Sequence, residues 1–251
     1  MRTRISRLFM TAMFVFSSLA LFAQRKIQPV EELLNGGEEG WTVVEDLLKS
    51  AKNKVEILDA NVDRAKESLY RTQVTTKSPM GAIVYKTGGV VVDDGWIRIL
   101  GSGSDRLNRT LPEWNKGKSF REFGETPSFL LIADDVIGGF FLLNGGALGD
   151  DLGKIYYFSP DNLEFEPLDL TYTGFLQFCF NSNLDEFYSG YRWKTWRADI
   201  SRLDSDTVFT FYPYLWSKEG KEINKISKKP ISAEEQFRFN KEMREQLNFD
   251  E

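Results

Sequence analysis

Between Gly81 and Pro160 the chain is written as short runs of β-branched, aliphatic and aromatic residues broken by turn pairs, and this block constrains the fold most. "GAIVYKTGGVVVDDGWIRILGSG" is interrupted at Gly88-Gly89 and again at Asp94-Gly95. Asp-Gly tolerates the positive φ that a two-residue hairpin loop requires, so the segment predicts three strands in a meander. "SFLLIA", "GGFFLLN" and "KIYYFSP" predict three more. The polar, turn-rich "SDRLNRTLPEWNKGKSFREFGETP" between the two groups predicts a long connection over 104–127, a length at which loops are often functional.

Helical periods flank this block. "VEELLNGGEEGWTVVEDLLKSAKN" carries Trp41, Val44, Leu48 and Ala51 on one stripe, widened by Val43 and Leu47. A short "VEIL" strand at 55–58 comes next, then "DANVDRAKESLY" with Val62, Ala65 and Leu69 on one face, capped by Asp59 or Asn61. Beyond the sheet, "TYTGFLQFCF" aligns Tyr172, Phe175, Leu176 and Cys179 behind a cap at Thr171 or Thr173. In "RWKTWRADISRL" the residues Trp193, Trp196, Ile200 and Leu203 share a stripe, which marks both tryptophans as core. Ser232 with Glu235 forms a capping box that opens a last, charged helix. The fold class expected is α+β, an antiparallel sheet flanked by helices in a single domain over 24–240, with a charged tail at 241–251.

The N-terminus sets the compartment. Arg2, Arg4 and Arg7 precede an apolar run from Leu8 to Phe22 and then Ala23, the pattern of a secretory signal peptide over 1–23. The run is shorter than the roughly 20 residues of a spanning helix, so cleavage after Ala23 and an exported, periplasmic or secreted product are expected, with no membrane span afterwards. Removing this segment takes away three of the 32 Lys and Arg and leaves 37 acids, a net charge of −8. Such a chain lacks the basic field that attracts phosphate backbones, so no nucleic-acid partner is expected, and a basic protein partner is.

Absences remove whole chemistries. The chain has no histidine, which excludes Ser-His-Asp and Cys-His catalysis, His-ligated zinc and the histidine pH switch. Cys179 is the single cysteine, so neither an intrachain disulfide nor a cysteine-ligated zinc site can form, and its apolar setting "FLQFCFN" reads as a buried side chain. "GGFFLLNGGALGDD" invites a nucleotide reading but has Asn144 where the first glycine of G-x-G-x-x-G belongs, and the acids Asp150 and Asp151 in place of a helix start. The Walker spacing fails too, since Gly149 to Gly153 is one residue short and Ile155 follows Lys154. The stretch therefore reads as a strand, Phe140 to Leu143, closed by a turn at Asn144-Gly145-Gly146. No cofactor and no metal site are expected; Asp150-Asp151-x-Gly153 falls short of a calcium loop.

Carboxylates remain: Asp134 and Asp135, Asp150 and Asp151, Asp161, Glu164 and Glu166. A glycan hydrolase needs two of them about 5 to 9 Å apart across a cleft, and solvated turns use the same residues more often. The run "FTFYPYLW", Phe209 to Trp216, reads either as a buried edge strand kinked at Pro213 or as an exposed patch that binds a partner.

Several phrases carry a family likeness. "QVTTKSPMGAIVYKTGGVVVDDGWIRILGSG", "LPEWNKG", "ADDVIGGFFLLNGGALG", "IYYFSPDNLEFEPLDLTYTGFLQF", "RWKTWRADI" and "FYPYLWSKEG" resemble, in order, the signature blocks of a bacterial family known as domain of unknown function 2625, from about Pro29 to about Ala233. Members mostly look cytoplasmic, and some carry a histidine after the hairpin aspartate where this chain has Asp94; the signal peptide departs from that pattern. The order of strand, acidic turn, glycine-marked strand, strand and helix in "LLIADDVIGGFFLLN…GKIYYFSPD…TYTGFLQF" is also similar to the C-terminal half of the SUKH superfamily. That likeness implies a binding module with no catalytic residues, of the kind that neutralises toxins. The expectation is thus an exported non-catalytic module that binds a protein partner, an immunity-type factor among the candidates, with Asp134, Asp135, Asp150, Asp151 and Trp216 as binding residues. A carboxylate-based glycan hydrolase is the alternative.

Overall fold

The computed structural model describes residues 27–247, so the expected signal peptide and the last four residues of the expected tail lie outside the described residues. In chain order the elements are α1 (Val30–Leu34), α2 (Glu39–Lys49), β1 (Val55–Leu58), α3 (Val62–Thr72), α4 (Pro79–Lys86), β2 (Gly89–Val92), β3 (Ile97–Leu100) and α5 (Leu111–Asn115). There follow β4 (Phe129–Asp135), β5 (Phe140–Asn144), β6 (Ile155–Phe158), β7 (Phe165–Pro167), α6 (Tyr172–Asn181), α7 (Leu184–Phe187), α8 (Trp196–Ile200), β8 (Thr207–Tyr212), β9 (Ser227–Ser232) and α9 (Ala233–Gln246). β1 to β7 form one antiparallel sheet in sequence order, and β8 pairs with β9 in a small second sheet. The chain is thus a single mixed α+β domain.

Elements pack on both faces of the seven-stranded sheet, and the pairing shows which residues go where. One row across the strands is Glu56, Val91, Arg98, Asp134, Phe140 and Phe158. This face receives Phe237 of α9, whose ring meets Phe140 at 5.1 Å and Phe158 at 6.1 Å. The neighbouring row, Ile57, Val90, Ile99, Ala133, Phe141 and Tyr157, points to the opposite face. There Phe141 packs on Phe175 of α6 with centroids 4.9 Å apart. At β5 and β6 both rows are aromatic and buried, which accounts for strands there that read as near-continuous hydrophobic runs, whereas the first row is charged at Glu56, Arg98 and Asp134.

The expected three-strand meander is corrected in its first member, because "GAIVYK" is α4. Ser78 accepts a hydrogen bond from the N–H of Gly81, and Pro79 occupies the first turn, a strong local start. Ala82, Ile83 and Val84 are all buried between neighbouring helices, so the run shows no amphipathic period and resembles a core strand in sequence. A Cβ at Gly81 would collide with the carbonyl of Thr75, so the helix start requires glycine. The hairpin between β2 and β3 forms as expected, with Asp93, Asp94 and Gly95 at positive φ (52°, 58° and 98°), which makes its loop longer than two residues.

The 104–127 connection is organised around α5. Asn115, fully buried, donates to the carbonyl of Leu131 at 2.9 Å and accepts from its N–H at 2.8 Å. Next to this point β4 shifts register against β5, and the Asn115 amide supplies Leu131 with the partner that a neighbouring strand would otherwise offer. The caps expected at Asn61, Thr171 and Ser232 are all present. α8 is confined to Trp196–Ile200; Trp193 lies ahead of it, and Trp193, Trp196 and Ile200 are nevertheless buried as the stripe required. α9 continues to Gln246, so the boundary drawn at 241 falls inside a helix.

Candidate functional site

Asp134 and Asp135 are consecutive in a strand, so their side chains leave the sheet on opposite faces, and both are fully buried. Asp134 sits in direct register with Arg98 on β3, which donates Nε–H to Oδ1 at 2.6 Å. Arg109 takes the other carboxylate oxygen and also donates to Asp206 at 2.9 Å. Both arginines reach the carbonyl of Ser205, Arg98 at 2.9 Å and Arg109 at 3.2 Å, and Arg98 also reaches that of Thr207. This cluster fastens the segment leading into β8 onto the large sheet. Removing one member would leave uncompensated charge in the interior.

Asp135 meets a neutral environment. Its Oδ1 accepts from the N–H groups of Ile137 (3.1 Å) and Gly139 (2.8 Å), and its Oδ2 from the hydroxyls of Tyr157 (2.7 Å) and Tyr188 (3.0 Å). Burial pushes its carboxyl up to about 6, against the four donors that favour the ionised form. Gly139 leaves the space through which the Tyr157 hydroxyl passes; a Cβ there would overlap the phenol. The glycine pair of "GGFFLLN" therefore serves this carboxylate, with Gly138 at φ +84° turning the chain.

The second acid pair lies at the opposite end of β5. Asn144, 2% exposed, accepts from the N–H groups of Gly146 (2.7 Å) and Leu148 (3.2 Å) and donates to the carbonyls of Gly149 (2.9 Å) and Asp151 (3.3 Å). Asp151 receives the Tyr156 hydroxyl at 2.7 Å, a bond that pushes this phenol up to about 12. Asp150 and Leu152 face solvent, Leu152 at 69% exposure. The expected turn at Asn144 is thus a ten-residue loop ordered by one buried amide.

Trp216 is elsewhere again. It is half-buried and stacks on Tyr214 with centroids 4.4 Å apart and planes 11° from parallel, and Phe239 of α9 packs on both rings. The aromatic run divides: Phe209 and Phe211 are core, while Tyr212 is 68% exposed. The five residues named from the sequence therefore do not share one surface. Asp161 is taken up by the hydroxyls of Ser159 and Tyr191 and by Lys221. Cys179 is fully buried, and burial alone raises its thiol well above the ordinary range.

Sequence reasoning missed one large concavity. A cleft of about 970 Å³ opens over the part of the sheet that β8, β9 and α9 leave uncovered, between the β2–β3 hairpin, the 104–108 loop and α8 with its following turn. Glu56, Val91 and Arg98 of a single sheet row form its floor, and the Asp134 cluster lies beneath. On its walls Lys54 pairs with Asp94 at 2.6 Å, Arg197 with the same carboxylate at 3.1 Å, and Arg106 with Glu56. Lys54 first and then Arg197 hold the Asp94 carboxyl below its ordinary range. Among the described residues, Asp105 and Asp204, both exposed, form no ion pair. A visible signal was Arg98 itself, a charge inside the apolar strand "WIRIL", which demands a buried counter-charge.

No helix among the described residues is long and apolar enough to cross a membrane, and no group of three or more metal-ligating side chains occurs among them. Against known proteins, the family model described as "Protein of unknown function DUF2625" matches residues 30–236. The chain is similar to an uncharacterized protein of Haemophilus influenzae, with 42% identity over 214 residues that span 85% of this chain and 94% of that protein. It is similar to the same degree, 42% over 221 residues, to the putative uncharacterized protein YbfG of Escherichia coli K12, covering 87% of this chain and 98% of the relative. The likeness read from its signature phrases and the match along nearly the whole domain agree: the chain belongs to the DUF2625 family.

Proposed function

We propose that the protein is an exported, non-catalytic module that binds a basic protein partner in the cleft over β1 to β3, in the manner of an immunity-type factor. The observation that carries this reading is the state of charge of the cleft. Lys54 and Arg197 share the single Asp94 carboxylate and Arg106 pairs with Glu56, whereas Asp105 and Asp204 form no ion pair among the described residues. A lining of four cations (Lys54, Arg98, Arg106, Arg197) and five acids (Glu56, Asp94, Asp105, Asp204, Asp206) thus leaves one net negative charge for a visitor. The acidic balance of the whole chain would steer a cationic surface toward it. The likeness to SUKH-type binding proteins and the signal-peptide pattern support the same reading.

The test is a crosslinking capture from envelope extract at low salt, comparing the intact protein with the double variant Asp105→Lys/Asp204→Lys. A basic protein recovered by the former and lost with the latter, and lost also at about 0.5 M salt where exposed charges are screened, is the expected result. Equal recovery by both proteins, or no partner at any salt, removes the proposal.

A further inference from the structure

A second surface, away from the cleft, presents a different chemistry. β8 and β9 expose one face on which Thr210 stands beside Lys229 and Tyr212 beside Ser227, and α9 runs along it as a wall. The groove between them encloses about 510 Å³, a size usual for small-ligand sites. Tyr212 meets Tyr214 edge-on at 5.9 Å, and Tyr214 continues into the stack with Trp216 and Phe239, so an aromatic platform built from sheet and helix reaches solvent. The charged lining is Lys229, Glu235, Arg238 and Glu242, which sums to zero, and Arg238 lies 3.8 Å from Glu242.

This combination selects among ligand classes. A cationic segment would meet Lys229 and Arg238, and an anionic one Glu235 and Glu242. A proline-rich peptide docks readily against aromatic rings, yet its backbone offers mainly acceptors and would leave the Glu235 carboxylate facing no donor. A sugar chain presents apolar C–H faces to rings and hydroxyls that both donate and accept, which suits carboxylates, cations and the Thr210 and Ser227 hydroxyls together. We propose that this groove binds a neutral oligosaccharide, independently of the partner site in the cleft.

The experiment is a titration of the intact protein with cellohexaose, chitohexaose and maltohexaose at millimolar concentration, followed by proton–nitrogen correlation NMR. At least one of them should give saturable shifts centred on residues 210–214 and 235–242. Tyr212→Ala should weaken that binding about tenfold or more while keeping the wild-type melting temperature, since the ring is 68% exposed. Glu235→Gln should weaken it less, and raising salt to about 0.5 M should change it little, because the ligand is uncharged. No saturable response to any of the three sugars, undiminished binding by Tyr212→Ala, or preference for a proline-rich decapeptide would overturn the proposal. Tyr212→Ala leaves Asp105 and Asp204 untouched, so this groove and the cleft fail or stand separately.

Discussion

The dipeptide Asp-Asp occurs three times, at Asp93-Asp94 in the β2–β3 loop, at Asp134-Asp135 closing β4 and at Asp150-Asp151 in the β5–β6 loop, and the last two have opposite fates. The pair on β4 is wholly buried, one carboxylate between two arginines and the other among four neutral donors. In the β5–β6 loop, Asp151 serves a tyrosine hydroxyl and Asp150 stands in solvent. The same two residues are internal ties in one place and surface in the other. What differs is the cover: helices and the small sheet close over both sides of β4, and nothing closes over the loop.

The sharpest way to break this contrast is Asp134→Asn. It keeps the shape and leaves Arg98 and Arg109 without their shared anion, so urea denaturation should show a loss of about 3–5 kcal/mol, the scale for stranding a buried charge. A loss under about 1 kcal/mol would mean that the cluster is better hydrated than its burial indicates.

Asp135 comes next and yields a dependence on pH. Its folded carboxyl near 6 lies above the ordinary 3.8, so between these values the native state holds more protons than the unfolded chain. Its contribution to stability is therefore greatest below about pH 4 and declines as pH rises to about 6, by roughly 3 kcal/mol in total. Asp135→Asn removes this decline, while its carbonyl can still accept from Ile137 and Gly139. Stability curves of the two proteins from pH 4 to 7.5 should diverge on that account, and parallel curves would contradict the assignment. The smallest effect belongs to the exposed pair: Asp150→Asn should shift stability by no more than about 0.5 kcal/mol in the same denaturation assay.

Much of the fold was legible because it depends on local chemistry. The caps at Asn61, Thr171 and Ser232, the β2–β3 hairpin and the strands from β4 to β6 each follow from residues within one turn or one strand. α4 was misread because a helix buried on all sides has lost the period that distinguishes it from a core strand. The candidate site was far less legible. Arg98 is separated in sequence from Asp134 and Ser205 by 36 and 107 residues, and Asp135 from Tyr188 by 53, so no local pattern links them. The cleft is likewise a product of coverage, present where α8 and the 200–206 segment stop short of β1 and β2.

By itself the sequence determined the family, the acidic charge, the helix–sheet–helix order and the exclusion of histidine-dependent chemistry and of an intrachain disulfide, because these rest on composition and on contacts a few residues long. Only the tertiary structure decided which carboxylates are ties and which are free. The cost of burying a charge depends on what the rest of the chain brings against it, and that is fixed when distant segments meet. Asp134 and Asp135 are internal braces, and the acids that line the cleft without an ion pair among the described residues are Asp105 and Asp204, brought there by segments distant in the chain.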